Sequence, residues 1–79
     1  MDTIGQALRR ARTDLGFTQK QIATCLGVGI SHISDMENGA RSFSQRFLPM
    51  LPDLMRAPVA EAMIAEHEEA IAEIRELAA

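Results

Sequence analysis

The chain has 79 residues, a formal net charge of −3, a hydrophobic content of 47% and one cysteine. A single cysteine excludes an internal disulfide and a cysteine-based metal cluster, and no apolar run reaches the roughly 18 residues of a membrane span. So short a chain forms one small domain and buries only about 60% of its unfolded surface, so oligomerisation would add stability. The expected compartment is the cytoplasm, because the N-terminus lacks the apolar core of a signal peptide.

Charge is divided unevenly along the chain. Residues 1–56 carry seven basic and five acidic groups, a net charge of +2, whereas residues 57–79 carry one basic and six acidic groups, a net charge of −5. This asymmetry separates a candidate nucleic-acid surface from an acidic appendage. A solvated helix face is the simpler explanation of the acidic end.

The N-terminal part predicts two helices. Apolar residues recur at helical spacing from Ile4 to Leu15, and Gly16 stops this first helix. Thr18 is the expected N-cap of a second helix, since a glutamine three residues later completes a capping box. That helix ends at Gly27, where a left-handed turn requires glycine.

Three further helices are predicted after this turn. One covers about residues 30–37, and QRFLPMLPDLM forms a fourth helix or a pair of turns. Pro58 is favourable at the first position of a fifth helix, which continues to Leu77 and is about 30 Å long. The predicted fold is all-α and compact, with five helices, divided into a helix-turn-helix domain (residues 1–56) and a C-terminal helix (residues 57–79).

The second and third helices have the pattern of a helix-turn-helix. Ala23 is small where two helices cross closely, and Gly27 takes a backbone angle that is costly for other residues. Apolar residues at the remaining positions form the wedge that fixes the angle between the helices. These are Ile22, Leu26, Val28, Ile33 and Met36.

The stretches LRRARTDLGFTQKQIATCLGV and ISDMENGAR, followed by RFLP, resemble the lambdoid phage repressor and Cro-type helix-turn-helix family, also called XRE-like. The resemblance covers about residues 3–55 and implies that the third helix reads DNA. It also implies an ion pair between Arg12 and Glu37, which joins the first helix to the end of the third. By the same resemblance, Gln19 and the backbone amides near Asn38 contact phosphates.

The resemblance further implies which residues face the bases. Ile30 suits a thymine methyl group, and Asp35 can accept from cytosine N4. Ser31 and Ser34 suit either hydrogen-bonding partner. These base-facing residues are Ile30, Ser31, Ser34 and Asp35. The third helix carries no lysine or arginine, but affinity comes mostly from phosphate neutralisation, which basic residues around it can supply. The remaining candidate DNA contacts are Gln19, Lys20, His32, Asn38, Arg41, Ser44 and Arg46; for His32 a plain surface position is an equal alternative.

The last helix carries an apolar stripe with a spacing of three and four residues. We expect this stripe to hold a homodimer together; the alternative is that it packs on its own domain. His67 fits a packed or interface histidine better than a metal ligand, because no second ligand lies four residues away. The expected interface residues are Met63, Ile64, His67, Ile71, Ile74, Leu77 and Ala78. The glutamates expected on the outer face are Glu66, Glu69, Glu73 and Glu76.

These features predict a sequence-specific DNA-binding transcriptional regulator. The preferred interpretation is an autoregulating repressor of a phage or mobile-element operon, bound as a dimer to a palindromic double-stranded operator. An antitoxin that binds its own promoter and neutralises a toxin, a restriction-modification controller protein and a pure protein-interaction domain remain alternatives. RNA polymerase or a toxin is therefore a further candidate partner. We expect no cofactor, no metal and no enzymatic activity, because the sequence has no nucleophile–base pair and no glycine-rich phosphate loop.

Overall fold

The computed structural model describes residues 3–78, and over that range the chain forms four α-helices and one 3₁₀ segment, without a strand. The α-helices are α1 (Ile4–Asp14), α2 (Gln19–Leu26), α3 (Ile30–Glu37) and α4 (Asp53–Ala78), and the 3₁₀ segment is Gln45–Met50. The predicted all-α class with five helices and a long C-terminal helix is confirmed. Among residues 3–78, none of the helices combines the length and the hydropathy of a membrane-spanning segment.

Capping residues define the beginnings of the first two helices. The Thr18 hydroxyl accepts from the Gln21 backbone N–H at 3.1 Å, and the Gln21 side chain accepts from the Thr18 N–H at 2.8 Å. Thr3 and Gln6 form the same reciprocal pair at the start of α1, a cap that was not predicted from the sequence. An N-cap of this kind contributes about 0.5–2 kcal/mol. Gly27 ends α2 with a φ of 69°, the left-handed conformation expected there.

One close approach fixes the crossing of α1 and α3. Gly5 is buried, and a Cβ placed on it would collide with the backbone carbonyl oxygen of Met36 and lie 2.9 Å from that of Glu37. Only glycine fits there, because the obstacle is backbone and cannot rotate away. The N-terminal turn of α1 therefore packs directly against the end of α3.

The core is aliphatic and includes the residues of the helix-turn-helix wedge. Ile22, Leu26 and Ile33 are buried, while Val28 is partly buried at its edge. The largest fully buried side chains come from every helix except the 3₁₀ segment and from the loop before α4: Leu8, Ile22, Ile33, Met36, Leu51, Met55 and Val59. Two phenylalanines, Phe43 and Phe47, belong to this core and contact each other edge-to-face, with ring centres 5.9 Å apart.

The long helix begins earlier than predicted. α4 starts at Asp53, so Pro58 lies inside it rather than at its first position. Proline has no N–H to donate to the carbonyl of Leu54, yet the helix continues through it. Since Met55 is fully buried, packing of the first turn on the core compensates for the missing hydrogen bond. Arg56 also fastens this turn by donating to the carbonyl of Leu51 at 3.0 Å.

The two halves of α4 have different surroundings. Met55, Val59 and Ala62 are buried in the core, whereas Ile74 is 65% and Leu77 is 88% exposed. The fold is accordingly elongated, with extents of 45 × 22 × 19 Å. Of the stripe expected to form an interface, Met63 packs partly on the core and Ile71 is half-buried, while the other members are exposed: Ile64, His67, Ile74, Leu77 and Ala78.

The expectation that Glu66 lies on the outer face was wrong. Its carboxylate is partly buried and accepts a hydrogen bond from the backbone N–H of Ile4 at 2.8 Å. The first N–H groups of a helix have no partner within the helix and carry a partial positive charge, which attracts a carboxylate. Glu66 therefore joins α4 to the beginning of α1, while Glu69, Glu73 and Glu76 are exposed.

Candidate nucleic-acid interface

Helix α3 presents two opposite faces. Ile33 and Met36 are buried at 0% and 1% exposure, whereas Ile30 is 48% exposed and Ser31 is exposed beside it. A β-branched apolar side chain is left in water at the start of the helix although the core is close by. This outward face therefore offers apolar and hydroxyl groups to a ligand.

The beginning of α3 lacks a side-chain cap. Gly29 is the N-cap residue and has no side chain to accept from the first-turn N–H groups. The His32 N–H bonds to the Gly29 carbonyl at 3.1 Å, but the first two amides, of Ile30 and Ser31, precede any partner within the helix. Uncapped amides at a helix N-terminus favour anions such as phosphate. The absence of a serine, threonine, aspartate or asparagine at residue 29 is the sequence signal for this feature.

A buried ion pair fastens the end of α3 to α1. The guanidinium of Arg12 donates to both carboxylate oxygens of Glu37, at 2.7 and 3.1 Å, and to the carbonyl of Phe17 at 3.0 Å. Glu37 is 7% exposed, and none of the buried polar side-chain atoms in residues 3–78 lacks a hydrogen-bond partner. The structure thus brings together the two residues paired by the resemblance. A bidentate pair of this kind fixes the orientation of α3 relative to α1.

Gln19 belongs to the same cluster. Its side-chain amide donates to Glu37 Oε1 at 3.1 Å, so the carboxylate binds α1 and α2 at once. The family resemblance predicts a phosphate contact for this side chain. One of its donors is instead engaged within the protein, which leaves the second amide hydrogen for that predicted contact. Lys20, the next residue, is exposed on α2.

The predicted base reader Asp35 lies beside the predicted phosphate contact Arg41. Their side chains are about half exposed, and Oδ2 and Nη2 are 4.0 Å apart. The Asp35 carbonyl also accepts from the N–H groups of Ala40 and Arg41, at 2.8 and 3.2 Å, which closes the turn after α3. The positive charge of the Arg41 guanidinium offsets the negative charge of the Asp35 carboxylate on the surface that a polyanion would approach. Because exposed pairs contribute only about 0–1 kcal/mol, either partner can exchange this contact for one to DNA.

The ring of Phe47 contacts two further candidate DNA-binding residues. Its ring packs edge-to-face against His32 at 5.9 Å, and the guanidinium of Arg46 lies 5.2 Å from the ring centre. A cation over an aromatic face is stabilised by about 0.5–1 kcal/mol at exposed positions. The ring therefore orients the Arg46 side chain next to α3. This role of Phe47 was not predicted from the sequence, although its position next to Arg46 was the available signal.

The remaining candidate residues lie at the end of α3 and in the loop. Asn38 donates weakly to the Ser34 hydroxyl at 3.4 Å, and Ser44 is exposed at the start of the 3₁₀ segment. Contacts therefore connect α3 to Arg41 through Asp35 and to Arg46 through Phe47. The arrangement has an outward reading face, an uncapped helix start and two arginines at its edge.

These features define a class, the helix-turn-helix domains, in which a second helix is held outward by the turn before it. A family model described as a helix-turn-helix domain matches residues 3–63. The chain belongs to this family, which is of the XRE-like kind, and the predicted resemblance is thereby confirmed. Domains of this class are carried by DNA-binding regulators. Neither the comparison with curated proteins nor that with solved structures gives a match.

Proposed function

We propose that this protein is a sequence-specific transcriptional regulator that binds a palindromic operator as a homodimer, and that it represses its own phage or mobile-element operon. The observation that carries the proposal is the outward face of α3. It combines half-exposed Ile30, exposed Ser31 and an uncapped helix start on a helix whose other face is buried. Operator occupation alone excludes polymerase from an overlapping promoter, so repression needs no additional chemistry.

The charge distribution supports the same orientation. Residues 1–56 have a net charge of +2 and include Arg41 and Arg46 beside α3. Glu69, Glu73 and Glu76 are exposed on the second half of α4, where they would repel phosphates. The domain end of the molecule therefore faces DNA, and the second half of α4 lies on the side of the protein away from the duplex.

A dimer follows from the small number of contacts that α3 offers. A helix of eight residues with four base-facing side chains contacts few base pairs, and a two-fold dimer doubles them. The exposed apolar residues at the end of α4, including Ile74 and Leu77, supply the surface for it. A toxin seated on that surface is the alternative, which would make the protein an antitoxin. A restriction-modification controller would share the DNA contacts described here.

The proposal is tested by selecting bound sites from random double-stranded DNA and sequencing them. We expect an inverted repeat with half-sites about 34 Å apart and binding that weakens steeply with salt. Ser31→Glu, on the outward face, should abolish enrichment, whereas Glu69→Gln, on exposed α4, should retain it.

Two outcomes would contradict the proposal. If no sequence is enriched and the protein shows no salt-dependent binding to DNA, a DNA-binding function is excluded and a protein-interaction domain is favoured. Tight stoichiometric binding to the product of a neighbouring gene would favour the antitoxin alternative.

A further inference from the structure

Helix α4 contains a heptad repeat over residues 60–78. Six residues alternate in spacing between four and three, and we call them the heptad face: Ala60, Ile64, His67, Ile71, Ile74 and Ala78. At about 100° per residue, this face lies roughly a quarter turn away from the one that packs on the core through Val59. Ile64 is 59% and Ile74 is 65% exposed. Apolar heptads are typical of helices that pack against another helix along a seam.

The two flanks of the heptad face differ in chemistry. One flank is apolar, with Met63, Ala70 and Leu77, and the other is charged, with Glu61, Glu68 and Arg75. Between helices that run in the same direction, each flank meets the opposite flank of its partner. Between helices that run in opposite directions, each flank meets its own copy. Only the antiparallel arrangement therefore places the apolar flanks together and the charged flanks together.

We infer that the partner of α4 is the same helix of a second copy, bound antiparallel. This inference rests on the homodimer of the proposed function. The register that uses all six positions places Ile64 against Ile74 of the second copy and His67 against Ile71. Its two-fold axis passes near Glu69. In this register Glu61 lies beside Arg75 of the second copy, and symmetry repeats the pair. A parallel pairing would instead oppose the two His67 imidazoles within the seam.

One contact opposes this arrangement. Glu68 lies close to the axis on the charged flank, where it approaches its own copy. The two Glu61–Arg75 pairs offset that repulsion. In the antiparallel arrangement Glu68→Gln should therefore strengthen the dimer, whereas in a parallel one this side chain would face Met63.

The arrangement also sets the distance between the two DNA-binding domains. The axis near Glu69 lies ten residues beyond Val59, the last fully buried side chain of α4. At about 1.5 Å per residue, the two Val59 residues, at which α4 is anchored in each domain, are separated by about 30 Å along the paired helices. This is close to the roughly 34 Å between successive major-groove sites on one side of a duplex. A parallel pairing places both domains at the same end of the seam.

A charge exchange in the full chain tests the orientation by sedimentation equilibrium without DNA. Arg75→Glu and Glu61→Arg should each raise the dimer dissociation constant about tenfold, because each replaces two ion pairs by two repulsions. The combined variant should return it to within about twofold of the original value. Glu73→Arg, on an exposed position away from the heptad face, is the matched control and should have no effect. No recovery in the combined variant would overturn the antiparallel orientation.

Cross-linking separates failure of the orientation from failure of the dimer. The background carries Cys25→Ser, which removes the exposed native thiol. A chain with both Ile64→Cys and Ile74→Cys should form a covalent dimer on mild oxidation, and neither single variant should. Cross-linking of Ile74→Cys alone would overturn the antiparallel inference and leave the proposed function intact. A protein that is monomeric at micromolar concentration and binds its operator as a single copy would overturn the homodimer itself.

Discussion

The side chain of Glu66 accepts a hydrogen bond from the backbone N–H of Ile4, 62 residues earlier in the chain, at 2.8 Å. This contact holds the beginning of α1 against α4, while Arg12 holds the end of α1 against α3. Helix α1 is therefore fixed at both ends by carboxylates from other helices. The orientations of α3 and α4 are therefore both fixed relative to α1.

The first prediction concerns this cap. Glu66→Ala should lower the free energy of unfolding by about 0.5–2 kcal/mol, because it removes both an acceptor and a negative charge from a helix N-terminus. Glu66→Gln should lose less, since its amide oxygen can still accept. Urea denaturation measures both. Glu69→Ala, at an exposed position of the same helix, should stay within about 0.5 kcal/mol. Equal losses at the two positions would show that the cap adds nothing.

The second prediction concerns the ion pair between α1 and α3. Arg12→Ala should destabilise the fold by about 3–5 kcal/mol, because it leaves the carboxylate of Glu37 buried without its main partner. Combined replacement by Arg12→Met and Glu37→Leu should be much milder. The exposed pair of Arg56 and Asp53, 3.1 Å apart, is the control, and Asp53→Ala should cost about 1 kcal/mol or less. A combined variant no more stable than Arg12→Ala would contradict this account.

The third prediction concerns base readout. Asp35→Ala should relax the sequence preference at one base pair, with a loss of discrimination of about 1–3 kcal/mol if the carboxylate contacts a base directly. It should also free the guanidinium of Arg41 and thereby strengthen binding to unrelated sequences. Site selection followed by sequencing measures both effects. An unchanged profile would remove Asp35 from the reading face.

The fourth prediction concerns the DNA backbone. Arg41→Ala should weaken binding to all sequences about equally and reduce the slope of log affinity against log salt by about one unit. Arg41→Lys keeps the charge and should preserve the slope. Titrations at several salt concentrations measure it. If Arg41→Ala changed which sequences bind, this residue would be a base reader.

The fifth prediction concerns the second half of α4. Removal of residues 58–79 would take Val59 and Ala62 out of the core, so the informative truncation removes only residues 67–79. It should yield a folded monomer with reduced operator affinity, although no DNA contact is lost. Ile71→Glu should act in the same way, and Ile74→Glu is the cleaner variant because its side chain is exposed. Full operator affinity in a monomeric variant would contradict a role in dimerisation.

Local patterns in the sequence predicted most of the helix-turn-helix. Thr18 and Gln21 are three residues apart, and Gly27 follows directly after the helix that it ends, so spacing alone identifies their roles. The wedge from Ile22 to Met36 follows from helical periodicity. The outward position of Ile30 follows from the same periodicity, because Ile33 and Met36 define the opposite face.

Contacts between distant parts of the chain could not be predicted in this way. The hydrogen bond from Ile4 to Glu66 and the close approach at Gly5 depend on how the helices pack, which periodicity does not report. The start of α4 at Asp53 was missed for the same reason, since burial of Met55 outweighs the preference of proline for a first position. The link between Gln19 and Glu37 likewise required the assembled fold.

Helix α4 is continuous from the core to the exposed heptad face, so it transmits rotation as well as distance. In the proposed antiparallel dimer, insertion of one residue between Ala62 and Met63 would turn everything beyond it by about 100°, whereas insertion of seven would almost restore the angle and lengthen each helix by about 10 Å. Because both copies are lengthened, the two domains would move apart by about 20 Å, which corresponds to about six base pairs of DNA. About six base pairs are a little over half a turn of the duplex, so an extension by one heptad would place the two recognition helices on opposite sides of the DNA.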